Sequence, residues 1–136
     1  NFINGLTDEL IDTLIQRFSE VTSPMSAIAT EHFHGAAVRP APSATAYAHR
    51  TEGFNLVFIG EWEDAADDEK NIQWVRGVFD ATADSAPDVY VNYLGDDEKE
   101  GRIASAYGEN FARLQQAKKT YDPENVFHLN QNITPA

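Results

Sequence analysis

Residues 53–62, GFNLVFIGEW, are dense in aromatic and β-branched residues and read as a central strand. A central strand needs neighbours, and two further segments qualify. SAIATEHFHGAA (26–37) alternates loosely and is expected to be a strand ending near Gly35. DVYVNYL (88–94) reads as a third strand, although two tyrosines and an asparagine sit between its valines. Regular pleating would put Tyr90 and Asn92 on one face and Tyr93 on the other.

Helices fill the intervals. LTDELIDTLIQRFSEV (6–21) carries Leu6, Leu10, Ile11, Leu14, Ile15, Phe18 and Val21 at the period of an amphipathic helix. Thr7 is a good N-cap, and Asp8 and Glu9 suit the positive end of the dipole. Residues 63–86 open with acids and predict a second helix. Its inner face would hold Ile72, Val75, Val78, Phe79 and Thr82, with Trp74 at the edge and Pro87 ending it. Residues 103–121 predict a mostly helical stretch with Tyr107, Phe111, Leu114 and Tyr121 on one side. Residues 38–50, with two prolines, are a loop that re-enters as a short strand near Tyr47. Residues 95–102 are a polar loop, and 123–136 a tail without periodicity. The expected fold is α+β, a small and mainly antiparallel sheet with helices packed on one face.

The bulk numbers narrow the function. A chain of 136 residues can build one real core. Ten basic against twenty-two acidic residues give a net charge of −12, which repels phosphate backbones and anionic lipid. No nucleic-acid or membrane partner is therefore expected, and no apolar run is long enough to span a bilayer. No cysteine is present, so disulfides and thiolate metal sites are excluded. The N-terminus has no Met, no basic start and no apolar signal core, and the chain is expected to be a piece of something longer.

Residue type alone suggests few sites. His32 and His34 share a strand face, and His49 could lie on a neighbouring strand, but no third ligand is evident and no metal is expected. GDDEKE (95–100) lacks the pattern of a calcium loop. NIT (132–134) matches a glycosylation sequon by chance. Glycine-rich phosphate loops and the Gly-x-Ser-x-Gly elbow are absent. The tyrosines remain. A phenol ionises near pH ~10 and becomes a useful base only beside a cation or an electron-poor ring.

The C-terminal third supplies that context. It contains Tyr90-x-Asn92-Tyr93, then Gly108-x-Asn110 with Arg113, Leu114 and Lys118, then Asp122-Pro123-x-Asn125-x-Phe127, then Gln131-x-Ile133. This pattern resembles the berberine-bridge-enzyme-like FAD-linked oxidases. HGAAVRPAPSATAYAHR and FIGEWEDAADDEKNIQWVR resemble the substrate-domain segments of that family, so the likeness spans 26–136. It implies residues 1–87 as part of a substrate domain and 88–136 as the C-terminal segment, in one compact unit. It also implies FAD, bound mainly by an N-terminal domain absent from this chain, and a small-molecule substrate oxidised by hydride transfer. By the same resemblance Tyr93 is the catalytic base. Asn92, Asn130 and Asn132 serve the cofactor, and Tyr90, Asn55 and Val57 the substrate. Some members place a carboxylate base on the strand matching FNLVFIGEW. Val57 stands there in this chain, which favours the tyrosine route. The isolated chain is expected to be inactive and to self-associate. The competing reading is a free-standing α+β binding domain without redox activity.

Overall fold

The structure, a computed structural model, describes residues 1–86, 88–95, 100–129 and 131–136. The chain is α+β and divides into two compact units. One comprises residues 1–33 and 52–87, the other 34–51 and 88–136.

In the first unit, β1 (Phe2–Ile3), β2 (Ala27–Phe33) and β3 (Gly53–Ile59) form an antiparallel sheet in the order β1-β3-β2. The expected central strand is central. Its register pairs Ala27 with Ile59, Ala29 with Val57, Glu31 with Asn55 and Phe33 with Gly53. Because side chains alternate, Phe54, Leu56 and Phe58 point to one face and Asn55 and Val57 to the other. The first face meets helices α1 (Asp8–Ser19) and α2 (Asp68–Thr82), with Ile3, Leu10, Leu56 and Ala86 as its buried core. Gly53 has no room for a side chain, since a Cβ there would lie 2.3 Å from the Ile3 carbonyl oxygen.

Helix α1 starts as its sequence predicts. Thr7 is extended, and its hydroxyl accepts from the Leu10 N–H at 3.2 Å. Helix α2 buries Val78 and Thr82 as expected, but Asn71 and Trp74 complete its buried stripe and Ile72 is exposed. The reason is hydrogen bonding. Trp74 Nε1 donates to the Arg17 carbonyl at 2.8 Å, Asn71 Oδ1 accepts from the Thr22 hydroxyl at 2.6 Å, and the Thr82 hydroxyl accepts from Asn1 Nδ2 at 3.1 Å. Buried polar groups with partners compete well with an aliphatic side chain. Ranking apolar positions alone misses them.

The second unit corrects the third strand. Residues 91–93 form a 3₁₀ turn, closed by the Tyr93 N–H to the Tyr90 carbonyl at 3.0 Å, and β1 takes the remaining place in the sheet. The segment around Tyr47 is likewise no strand. Two short 3₁₀ turns, Gly35–Val38 and Pro42–Ala44, organise that loop. The expected final helix is broken into α3 (Glu100–Tyr107) and α4 (Phe111–Tyr121) by a 3₁₀ turn at Gly108–Asn110. Gly108 adopts φ +51, a left-handed conformation that glycine enters without penalty. Tyr121 lies away from the helix's inner side and is exposed.

Leu56→Ala should cost about 2–5 kcal/mol of unfolding free energy, because the central strand cannot collapse onto the cavity. Ile15→Ala, on the exposed side of α1, should change stability by less than about 0.5 kcal/mol. Urea denaturation of both variants tests the assignment of the inner face, and equal losses would refute it.

Candidate functional site

The 3₁₀ turn decides the geometry of the tyrosines. In such a turn side chains at i and i+3 eclipse. Tyr90 and Tyr93 are therefore brought together, with ring centroids 5.2 Å apart and planes at 88°. Asn92 folds back, and its Nδ2 donates to the Tyr90 phenol oxygen at 2.8 Å. Alternation had separated Tyr93 from its neighbours, and the turn reverses that. Tyr93 is 52% exposed.

The loop 34–51 supplies residues that sequence reasoning left aside. Tyr47 packs edge-on against Tyr90 at 5.8 Å and against His49 at 5.4 Å. Arg50 places its guanidinium carbon 4.7 Å from the Tyr47 ring centroid, a cation–π contact. The same guanidinium donates to the Ala37 carbonyl at 2.7 Å and to the Thr45 hydroxyl at 2.9 Å. An aromatic, a histidine and an arginine within four residues of a proline loop were the available signal. Burial pushes the His49 imidazole below the ordinary histidine range, against the smaller opposing pull of the Asp88 carboxylate. Burial also raises the Tyr107 phenol, which keeps that tyrosine protonated.

The signature residues hold this arrangement in place. Asn110, buried, donates from Nδ2 to the Pro42 carbonyl at 2.8 Å, and Arg113 reaches the Ser43 carbonyl at 3.4 Å. Gln131 Nε2 donates to the Leu94 carbonyl at 2.7 Å and pins the chain just beyond Tyr93. Asp122 accepts from the Val126 N–H at 2.8 Å and the Phe127 N–H at 3.1 Å. Lys118 bonds both the Asp122 carboxylate and the Phe127 carbonyl. The Lys118 ammonium, first among the causes, holds the Asp122 carboxyl below its usual range. Asn125 completes the turn at φ +52, where asparagine is tolerated better than most residues. These residues clamp loops.

Asn132 has its side-chain oxygen buried without a hydrogen-bond partner among the described residues. Asn130 lies outside the described residues. Asn55 and Val57 belong to the first unit and share the sheet face turned away from α1 and α2. Asn55 is fully buried, and its Nδ2 donates to Glu31 Oε2 at 2.7 Å. His32, on the helix-bearing face, stacks on Phe54 at 4.6 Å. Among the described residues no group of three His, Asp or Glu side chains could hold a metal ion, and no helix is long and apolar enough to cross a membrane.

Residues 89–134 match the family described as berberine and berberine like. By that match its C-terminal third carries a berberine and berberine-like segment. It is 30% identical over 130 residues to the uncharacterized FAD-linked oxidoreductase YgaK of Bacillus subtilis strain 168, covering 96% of this chain and 29% of that protein. The fold matches berberine bridge enzyme from Eschscholzia californica with a TM-score of 0.85 at 21% identity, over 100% of this chain and 32% of that one. Chitooligosaccharide oxidase matches with a TM-score of 0.76 at 25% identity, over 96% of this chain and 31% of that one. The chain thus spans about 29% of the length of the first curated relatives it matches.

A His49 held below its ordinary value stabilises the fold fully above about pH 6.5. That contribution is lost as the pH falls through the lowered folded value. Thermal unfolding between about pH 7 and pH 5 should therefore fall more steeply for the native chain than for His49→Gln. Parallel curves would show that the buried imidazole carries no such linkage.

Proposed function

We propose that this chain is the substrate-side and C-terminal part of an FAD-dependent oxidoreductase, inactive without an FAD-binding domain. Its reaction is oxidation of an alcohol, sugar or secondary-metabolite substrate. The observation that carries the reading is the cluster of Tyr90, Asn92 and Tyr93, held in one turn by residues of the family pattern.

Tyr93 is the base in this reading. Its exposed phenol takes the proton from the substrate O–H or C–H, and Tyr90 packs edge-on against it as a wall of the substrate site. Asn92 donates its amide to Tyr90, so it orders the phenols, and it is assigned to the flavin on its place in the family pattern. Asn132 fits the cofactor better, because a buried acceptor without a partner is what a flavin N–H would satisfy. Asn130 is assigned to the same contact on its position in the Gln-x-Ile segment alone. FAD, when bound, supplies the hydride acceptor. Asn55 and Val57 are assigned to the substrate on the family resemblance alone.

The named relatives support a sugar or alcohol substrate class, since one of them is a chitooligosaccharide oxidase. Surface chemistry supports a missing neighbour. Tyr121, Val126, Phe127 and Leu129 of the C-terminal region are 88%, 63%, 81% and 84% exposed, and Lys118 and Asp122 fix the turn that presents them. Such side chains favour burial against another domain, or self-association when that domain is missing.

FAD titrated into the chain alone should leave the flavin spectrum unchanged, and the chain joined to an FAD-binding domain should bind it. In the joined protein Tyr93→Phe should slow flavin reduction by substrate about 10²–10⁴-fold, with a much smaller change in substrate affinity. Reduction at the native rate would remove Tyr93 as the base.

A further inference from the structure

A concavity of the second unit lies outside the tyrosine cluster. Thr45 and Ala46 of the loop, with Asn110, Arg113, Leu114 and Ala117 at and within α4, line a cavity of about 200 Å³. That is below the ~300–1,000 Å³ of sites for drug-sized ligands, so a short molecule fits. Ala46, Leu114 and Ala117 make its lining largely apolar. Asn110 is 4% exposed and commits its Nδ2 to the Pro42 carbonyl at 2.8 Å. Thr45 uses its hydroxyl twice, accepting from Arg50 at 2.9 Å and donating to the Tyr47 carbonyl at 3.3 Å.

Arg113 is less committed. A guanidinium carries about five N–H donors, and here one of them makes a long bond, 3.4 Å, to the Ser43 carbonyl. Among the described residues no carboxylate pairs with Arg113. The surrounding unit does not repel an anion as the whole chain does. It carries seven of the ten basic residues and eight of the twenty-two acidic ones, so the net charge of −12 falls almost wholly on the first unit.

We propose that this cavity binds a small monocarboxylate with a short apolar body, aliphatic or aromatic. The planar guanidinium of Arg113 takes the carboxylate through paired N–H···O bonds, a geometry its fork of donors matches. Ala46, Leu114 and Ala117 cover the apolar body. Phosphate would gain the charge contact and leave the apolar lining unused, and an alcohol would do the reverse. The ligand bridges the loop and α4, beside the bonds by which Asn110 and Arg113 already join them. The site stands apart from the oxidoreductase reading, because Tyr90, Asn92 and Tyr93 take no part in its lining.

The test uses the chain joined to an FAD-binding domain, with hexanoate and benzoate as probes and hexan-1-ol and inorganic phosphate as controls. Calorimetric titration gives each dissociation constant, and hydrogen exchange gives the place of binding. The variants are Arg113→Gln, Arg113→Lys and Ala117→Leu. The last fills the cavity from an exposed helical position where leucine is a good helix former, so its fold is kept. At least one acid should bind with a dissociation constant below about 1 mM, at least about tenfold more tightly than either control. Arg113→Gln and Ala117→Leu should each weaken it about tenfold or more, and Arg113→Lys, which keeps the charge without the fork, by less. Amides of residues 43–47 should exchange more slowly with the acid bound. Failure of both acids to bind below about 10 mM overturns the proposal. Affinity for hexan-1-ol or phosphate equal to that for the acids overturns the carboxylate assignment. Binding unchanged by Ala117→Leu, or without protection at residues 43–47, puts the acid elsewhere and overturns the site.

Discussion

The pairing of residues 27–33 with 53–59 is the constraint on which the first unit depends. Side-chain direction in a sheet has a period of two, so this register decides which chemistry lies on which face. With Glu31 opposite Asn55, one face of β3 gives Phe54, Leu56 and Phe58 to the helices and the other keeps Asn55 and Val57. A slip of β2 by one residue would turn Glu31 toward α1 and α2 and Ile28 away from them. The cost of that exchange protects the polar pair. Gly53 adds a second lock, because the Ile3 carbonyl approaches its Cα too closely for any side chain.

In the second unit, order comes from clamps more than from a core. Val89 and Ala106 are its buried apolar residues among those described, and both are modest in size. Side chain to backbone bonds take up the work. Asn110 and Arg113 hold the loop at Pro42 and Ser43, Arg50 ties Ala37 to Thr45, Gln131 fixes Leu94, and Asp122 with Lys118 closes the last turn. Each bond satisfies a carbonyl or N–H that irregular backbone leaves unpaired. Family patterns of this kind invite a catalytic interpretation of every member. Here most members fix the loops around Tyr90 and Tyr93.

The parts of this structure legible in the sequence are those with a strong period or a strong cap. Helix α1 followed from its apolar spacing and from Thr7, and β3 from its unbroken apolar run. The misreadings share one cause, which is hydrogen bonding that apolar patterning cannot see. Asn71 and Trp74 drew α2 round, and a local carbonyl contact turned residues 91–93 into a 3₁₀ helix despite their valine and tyrosine. The tyrosines were singled out as chemistry from residue type, but their grouping was not, since a period of two and a period of three place Tyr93 on different sides. Tyr47 and Arg50 escaped because a loop gives no period at all.

Glu31 and Asn55 stand opposite each other on β2 and β3. A half-buried glutamate left to itself samples several rotamers and loses entropy when held. Asn55 removes that freedom in advance with one amide bond, at the expense of an unsatisfied oxygen beneath it. An arrangement that gives up stability to fix the direction of one side chain is the pattern expected where geometry serves chemistry. The turn at Tyr90 follows the same logic, with an asparagine spending its donor to fix a phenol. Both units thus pair one asparagine amide with one side-chain oxygen, and in each the amide orients that oxygen.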